Sequence, residues 1–310
     1  MNDRQLKYIL TIAEEGNITT AAQKLFISQP SLSCLLANVE KEIGIELFDR
    51  CTSGISLTYA GECYVDAAKK ILSIKRELER QIDDMQNCQK GSLLIGCGRQ
   101  LSSVLFPLII PAFKSKYPGF TVKLLEEKLS VLQDKLCSGN LDVAFTYTEI
   151  KNKKVELLPL LDEEMVLMTP TSFKPPILIK EDEHKFPIVN FSAIENYPFV
   201  LFKSGLHLRS ITDKIFSDFN IEPNIVLETD NWQTCVGMVK QGEAFTILPF
   251  STLAPKDLSH YVNCYSIEGN YYRYIYVCYN KSTYFSKIIE KFISLTQDIL
   301  LKNDSTLSLL

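Results

Sequence analysis

Residues 62–89 contain neither proline nor glycine, and this segment constrains the fold of the 310-residue chain more than any other. Apolar side chains recur in it every seven residues, at Tyr64, Ile71, Leu78 and Met85. Ala67, Ile74 and Ile82 complete the stripe. The pattern predicts a helix of seven to eight turns with a coiled-coil seam. A stripe this narrow needs a partner, so we expect a second copy of the chain to pack on the seam positions Tyr64, Ile71, Leu78 and Met85.

The 58 residues before this helix predict a small domain of short elements. Three helices are indicated, ending at Gly16, Leu25 and Gly44, and the third begins at Ser28. We expect the second helix to start at Thr19 or Thr20. The segment IELFDRCTSGISLT then has apolar residues on both sides of a Ser-Gly turn, which is typical of a hairpin. Together these elements predict a winged helix-turn-helix.

The stretch FISQPSLSCLL, residues 26–36, begins the third helix with small uncharged side chains. Ser28 is a good N-cap and Pro30 suits the first turn, so capping alone could explain the composition. The preceding short helix and tight turn indicate more, because the start of the second helix in such a motif meets base edges in the major groove. Gln29 could bond adenine, and the serines could bond bases or phosphate.

Strands and helices alternate after Gly91. Buried strands such as SLLIGCG and LDVAFTY are separated by helices, and a second series begins near EEMVLMTP. Alternation of this kind predicts parallel sheets with crossover helices, here in two α/β lobes with the end of the chain returning to the first. A ligand would bind between the lobes, at the carboxyl ends of the strands.

Composition narrows the classes of function. A net charge of −4 argues against a basic coat but allows a local DNA-reading element. No segment has the length of apolar sequence that spans a bilayer, and the N-terminus does not resemble a secretory signal, so we expect a cytoplasmic protein with no membrane association. The nine cysteines form no CxxC pair and are expected to be reduced, buried thiols rather than disulfides or zinc ligands. Nucleophile, phosphate-loop and metal motifs are missing, so neither an enzyme, a metal nor a cofactor is expected.

Two long stretches carry a family resemblance. NITTAAQKLFISQPSLSCLLANVEKEIGIELFDR followed by LTYAG resembles the DNA-binding domain of LysR-type transcriptional regulators. LFPLIIPAFKSKYPGFTVKLLE, LCSGNLDVAF and MVKQGEAFTILP resemble successive parts of that family's effector domain. The resemblance implies double-stranded promoter DNA, a small-molecule effector, the transcription machinery and a homodimer or homotetramer as partners. It also implies a two-lobed, periplasmic-binding-protein-like effector domain.

The resemblance divides the chain into three parts. Residues 1–58 form the winged helix-turn-helix, 59–90 the linker and dimerisation helix, and 91–303 the effector domain. Within the last part we expect lobe I to comprise 91–162 and 266–303, and lobe II to comprise 163–265.

By position, the resemblance places DNA contacts on three elements. These residues are Thr19 of the second helix; Gln29, Pro30, Ser31, Ser33 and Cys34 of the third; and Arg50, Ser53 and Thr58 of the wing. Cys34 and Ser53 stand where the family often has cations. Residues 1–58 hold five basic and seven acidic side chains, a net charge of −2. Few phosphate contacts predict a shallow salt dependence, with affinity coming from several copies on spaced half-sites.

The effector contacts are expected where strands end and helices begin. The candidates are Arg99, Gln100, Ser102, Ser130, Lys203, Ser204, His207 and Trp232, with Ser130 as the cap of its helix. Helix N-termini beside hydroxyls and cations suit a carboxylate, so the effector is predicted to be a small organic anion. Each serine could instead be an ordinary cap, each cation a solvated surface group, and Trp232 a packing residue.

Two other classes of function stay open at this point. A two-lobed solute-binding protein or enzyme with an accessory N-terminus is disfavoured by the long helix and the helix-turn-helix. A thiol redox sensor would need a reactive cysteine with low pKa and a resolving partner, and no cysteine pair is close in sequence.

Overall fold

The computed structural model describes residues 2–51, 54–85, 90–179, 186–250 and 261–307. The N-terminal part folds as three helices and a hairpin. Their bounds are α1 Asp3–Glu15, α2 Ile18–Lys24, α3 Gln29–Ile43, β1 Phe48–Cys51 and β2 Gly54–Leu57. The strands pair antiparallel, as a wing requires. Ile9, Ile12, Leu32, Val39 and Leu47 form part of one apolar core beneath these elements.

Caps explain where these helices begin and end. Gly16 and Gly44 end α1 and α3 in the left-handed conformation, as the sequence predicts. The predicted start of α2 at Thr19 or Thr20 is wrong. The helix begins at Ile18, because the side chain of Asn17 accepts hydrogen bonds from the backbone N–H groups of Thr19 and Thr20 at 2.8 and 3.2 Å.

The linker helix α4 spans Tyr59–Met85, and residues 86–89 of its predicted length lie outside the described residues. The first turn of α4 packs so closely on the backbone of Leu47 that a side chain at residue 61 would clash. A Cβ at Gly61 would lie 2.0 Å from the carbonyl oxygen of Leu47. The seam positions Ile71, Leu78 and Met85 are exposed, at 38%, 55% and 81%. An apolar stripe therefore faces away from the rest of the chain.

The remaining strands form two lobes. Their bounds are β3 Gly91–Cys97, β4 Phe120–Glu126, β5 Val143–Thr146, β6 Val155–Pro170, β7 Ile177–Ile179, β8 Ile188–Val189, β9 Pro198–Phe202, β10 Asn224–Thr229, β11 Thr246–Pro249, β12 Val262–Ile267 and β13 Tyr272–Asn280. The helices are α5 Arg99–Lys116, α6 Leu129–Cys137, α7 His207–Asp218, α8 Trp232–Lys240 and α9 Lys287–Leu307. A short 3-10 helix covers Phe191–Ile194. No helix in the part of the chain that the structure describes is long and apolar enough to cross a membrane.

The sheets are mixed rather than purely parallel. Strands β3, β4 and β5 are parallel, but β13 runs antiparallel to both β5 and β6. β13 enters the lobe I sheet after the chain has passed through lobe II. Because no crossover helix joins it to its neighbours, it can run antiparallel to them. In lobe II, β9 and β10 are parallel, whereas β11 and β12 pair antiparallel with β6.

Strand β6 joins the lobes. Residues 155–164 pair with β13 in lobe I, and residues 165–170 pair with β11 and β12 in lobe II. The predicted lobe boundary at 162/163 falls two residues before this change of partner. Separate apolar cores lie on either side, one around Phe113, Phe145 and Phe292 and the other around Phe199 and Leu248. The chain therefore passes between the lobes twice, once along β6 and once between β12 and β13.

A row of polar side chains attaches the linker helix to lobe I. Arg76, Arg80 and Asp84 follow at four-residue intervals, so they share one face of α4. Arg76 donates to the carbonyl oxygen of Gly139 at 3.0 Å, and Arg80 hydrogen-bonds Asp142. The carboxylate of Asp84 accepts from the backbone N–H of Lys287, which begins α9, at 2.9 Å. These contacts lie on a different face from the apolar seam.

Candidate nucleic-acid interface and ligand crevice

The start of α3 presents polar side chains to solvent while its apolar side chains hold it in place. Gln29, Pro30 and Ser31 are exposed, and Leu32 and Leu36 are buried. Ser28 caps the helix as predicted, since its Oγ accepts from the backbone N–H of Ser31 at 3.3 Å. This alternation leaves one turn of hydrogen-bonding groups facing outward on a rigid support.

Two local hydrogen bonds order these exposed side chains. The amide Nε2 of Gln29 donates to the Ser33 hydroxyl at 2.9 Å, and the hydroxyls of Ser28 and Ser31 lie 2.7 Å apart. Cys34 is exposed one turn further on, where the amide Nδ2 of Asn38 lies 3.7 Å from its sulfur. Each of these contacts joins side chains about one turn apart on α3.

The remaining predicted DNA contacts differ in position. Thr19 is exposed near the start of α2. Arg50 lies on β1, where it pairs in register with Ile55 of β2, and Ser53 lies outside the described residues. Thr58 has a structural role that position alone did not reveal. Its hydroxyl donates to the carbonyl oxygen of Glu46 at 2.9 Å and accepts from the backbone N–H of Gly61 at 3.0 Å, so it caps α4.

Acidic neighbours reduce the positive charge of this domain. Lys24 lies 2.6 Å from the Glu15 carboxylate and 3.6 Å from that of Glu14. The hydrogen bond to Glu15 raises the pKa of Lys24, and the charges of both glutamates act in the same direction. Lys75 likewise pairs with Asp3. These pairs agree with the few cationic anchors expected from the sequence.

Three helix starts that follow strands of the two lobes lack a side-chain cap. The N-cap residues of α5, α6 and α7 are Gly98, Lys128 and Leu206, and none makes a side-chain capping hydrogen bond. The predicted cap at Ser130 is therefore wrong. Ser130 is exposed and is the second residue of α6, since the helix begins two residues earlier than a cap at Ser130 requires.

The other predicted effector residues are brought together only in part. At the start of α5, Arg99 is exposed and Gln100 is half-buried. Ser204, which follows β9, is exposed. Ser102 is buried and hydrogen-bonds the thiol of Cys97, whose pKa burial raises to about 12.

Of the lobe II candidates, Lys203 follows β9, whereas His207 and Trp232 begin helices. Lys203 lies 3.7 Å from Asp230 in an exposed ion pair. Trp232 begins α8 and packs against the core of lobe II, as expected of a packing residue. His207 begins α7, where partial burial and the charge of Arg273 lower its pKa.

Sequence reasoning missed a buried ion pair near the junction of the two lobes. Arg273 on β13 and Glu163 on β6 are paired in register and joined by hydrogen bonds, with side chains 3% and 1% exposed. The ring of Tyr147, which follows β5, lies 3.8 Å from the Arg273 guanidinium. Burial raises the pKa of Tyr147 to about 12. An arginine between aromatic residues in YYRYIYVCYN could have given the signal, because a lone inward charge in a strand needs a buried partner.

Family models match nearly all of the chain. One described as the LysR substrate binding domain matches residues 87–300, and one described as a bacterial regulatory helix-turn-helix protein of the lysR family matches residues 4–62.

Relatives and solved structures agree with these matches. YcgK of Bacillus subtilis, an uncharacterized HTH-type transcriptional regulator, is 27% identical, with 97% of this chain and 95% of the relative covered. BsdA of Bacillus subtilis, an HTH-type transcriptional regulator, is 30% identical, with 87% of this chain and 91% of the relative covered. The crystal structure of full-length CbnR with its target DNA shares the fold at a TM-score of 0.62 and 21% identity, over 98% of this chain and 100% of that one.

Proposed function

The chain belongs to the LysR family of DNA-binding transcriptional regulators, and from this premise we propose that it reads promoter DNA with the start of α3 and responds to an anionic small molecule held between its two lobes. The exposed Gln29 and Ser31 on a helix anchored by Leu32 and Leu36 carry the first half of the proposal. Their donors and acceptors can reach base edges without disturbing the core.

The DNA contacts divide into two kinds. We propose that bases are read by Gln29, Ser31 and Ser33. The remaining contacts, at the base edges or the DNA backbone, are proposed for Thr19, Pro30, Cys34, Arg50, Ser53 and Thr58. Since Thr58 already caps α4, its contact with DNA would use only its remaining hydrogen-bonding capacity.

Dimerisation is proposed to use the exposed seam of α4. Ile71, Leu78 and Met85 lie on it. Tyr64 differs, because it packs partly against the core of the DNA-binding domain. Two or four copies would place several α3 helices on spaced half-sites, and contact with the transcription machinery would follow at the promoter.

The anionic effector is supported by the uncapped starts of α5, α6 and α7. Backbone N–H groups at a helix start favour negative charge. Arg99 and Lys203 stand at two strand ends beside these helix starts and could add attraction for the anion.

The proposed domain bounds assign DNA binding to residues 1–58, dimerisation to residues 59–90 and effector binding to residues 91–303.

A thiol redox sensor is the less favoured alternative. Burial raises the pKa of Cys97, Cys264 and Cys278 to about 12 and that of Cys235 to about 11, and the thiolate is the reactive form. Cys34 and Cys63 are exposed, contrary to the expectation of buried thiols. DNA binding that is unchanged after peroxide treatment would exclude this alternative.

Gel retardation with the DNA upstream of its own gene tests the proposed function. We expect a retarded complex whose affinity changes when small organic acids are added, and no retardation at low salt would contradict the proposal. The salt series gives a second test, because few cationic contacts predict a slope of log K against log salt shallower than about −8. A slope at or beyond that value would contradict the expected reliance on several copies.

A further inference from the structure

The ion pair of Arg273 and Glu163 lies where both lobes meet. β6 runs through both lobes, and β13 begins where the chain returns to lobe I after β12. Tyr147 covers the guanidinium from lobe I, and Arg273 lies near enough to His207 of lobe II to lower the pKa of its imidazole. The pair therefore lies near a residue of each lobe.

The pair is incompletely bonded. Nε and Nη2 of Arg273 both donate to Oε2 of Glu163, the first at 2.8 Å. Nη1 of Arg273 and Oε1 of Glu163 are buried and have no hydrogen-bond partner among the described residues. A buried donor or acceptor without a partner destabilises the fold, and a charged one does so more strongly. The ion pair is neutral overall, but it contains one donor atom and one acceptor atom that lack hydrogen-bond partners.

These two open atoms define the chemistry of a matching ligand. The donor Nη1 is best satisfied by an anionic oxygen, since charge-assisted hydrogen bonds are the stronger ones. Oε1 belongs to a carboxylate, so it accepts only and repels a second anion unless a positive or donor group accompanies it. A simple organic anion would satisfy the arginine and leave the glutamate unsatisfied.

We propose that the effector is an α-amino acid or a close analogue, whose carboxylate accepts from Nη1 of Arg273 and whose ammonium group donates to Oε1 of Glu163. The inference rests on the effector crevice proposed above and specifies its ligand. A zwitterion leaves the site neutral, so the buried pair need not separate when the ligand binds. The ring of Tyr147 covers one face of the guanidinium and helps to fix its plane. The carboxylate is then the anionic group expected from the sequence.

Ligand binding to the full-length protein without DNA tests the proposal. The common amino acids are screened by thermal shift at up to about 10 mM, each beside the carboxylic acid that lacks its amino group, and hits are measured by calorimetry. We expect at least one amino acid to raise the Tm and its des-amino partner to bind at least about tenfold more weakly. Equal binding of the two, or no shift with any amino acid, would overturn the proposal.

Variants separate recognition from folding. Glu163→Gln should reduce the preference for the amino acid over its des-amino partner. The double variant Glu163→Leu with Arg273→Met removes both charges together, a change that buried pairs often tolerate, and should abolish amino-acid binding while promoter binding persists. Glu156→Gln with Lys281→Met is the matched control, since this exposed pair joins β6 to the residue after β13 at 3.4 Å and should leave ligand binding unchanged.

The outcomes distinguish the two proposals. Amino-acid binding that survives in the double variant would show that the buried pair serves only the fold, and would overturn the inference. Absence of DNA retardation in the unaltered protein would count against the proposed DNA reading, whereas the ligand measurements, made without DNA, would still decide the ligand class.

Discussion

The guanidinium of Arg80 in the linker helix hydrogen-bonds the carboxylate of Asp142, which is 5% exposed at the entry to β5. The other oxygen of Asp142 accepts from the backbone N–H of Leu94 on β3, at 2.7 Å. A single carboxylate thus ties α4 to two strands of lobe I. The linker helix that follows the DNA-binding domain is therefore fixed to the sheet of lobe I through one buried side chain.

Arg80→Ala should destabilise the protein strongly. The change leaves the Asp142 carboxylate buried without its partner, which typically costs about 3–5 kcal/mol of unfolding free energy. Urea unfolding followed by circular dichroism measures the loss. Lys70→Ala, an exposed cation on the same helix, is the control and should change stability by less than about 0.5 kcal/mol. Similar values for the two variants would mean that the docking contact contributes nothing.

Leu78→Glu should weaken the dimer. Leu78 is 55% exposed in the single chain, and a charge in a coiled-coil seam opposes burial against a second helix. Sedimentation velocity should show a shift toward monomer at micromolar concentration. Glu79→Lys changes an exposed charge in the same turn, off the seam, and should leave the oligomer intact. A dimer unaffected by Leu78→Glu would place the interface elsewhere.

Local patterns in the sequence were sufficient to predict the helix-turn-helix, the wing, the linker helix and the two lobes. Each depends on periodicity, a cap or a turn, as with Ser28 and Gly16. The start of α2 was misplaced because Asn17, and not a threonine, provides its cap.

The crevice was less predictable, because its chemistry depends on contacts between distant segments. Glu163 and Arg273 are 110 residues apart in sequence, and only the pairing of β6 with β13 brings them together. Position alone suggested Ser130 as a cap and left Tyr147 unremarked. A single sequence gives no register between strands that are so far apart, so it could not identify the buried pair.

Gln29→Ala should reduce sequence discrimination. A bidentate contact between an amide side chain and adenine contributes about 1–3 kcal/mol of preference, so specific binding should weaken while non-specific binding and the salt slope stay unchanged. Fluorescence anisotropy with the promoter site and a scrambled duplex measures the ratio. Ser28→Ala is the comparison, because loss of the cap should lower stability by about 1 kcal/mol and leave the ratio unchanged. An unaltered ratio in Gln29→Ala would exclude base reading by this side chain.

Cys34→Arg should strengthen DNA binding and steepen its salt dependence. Cys34 is exposed one turn beyond the start of α3, so an arginine there could reach phosphate. One added phosphate contact should steepen the slope of log K against log salt by about 0.9. Ser103→Arg adds the same charge on α5 of lobe I, where it is exposed, and should leave the slope nearly unchanged. Unaltered affinity in Cys34→Arg would mean that residue 34 does not face the DNA.

His207→Gln should flatten the pH dependence of stability. Partial burial and the charge of Arg273 hold the pKa of His207 below its ordinary value of 6.5. Between the lowered pKa of the folded protein and the ordinary value of 6.5, the unfolded chain binds more protons than the folded one. The free energy of unfolding therefore decreases as the pH falls through this range. Urea unfolding at about pH 7.5 and about pH 5.5 should show a smaller decrease in the variant. The other two histidines are present in both proteins, so the difference isolates His207. An equal decrease in both proteins would mean that the imidazole titrates as it does in the unfolded chain and is not influenced by Arg273.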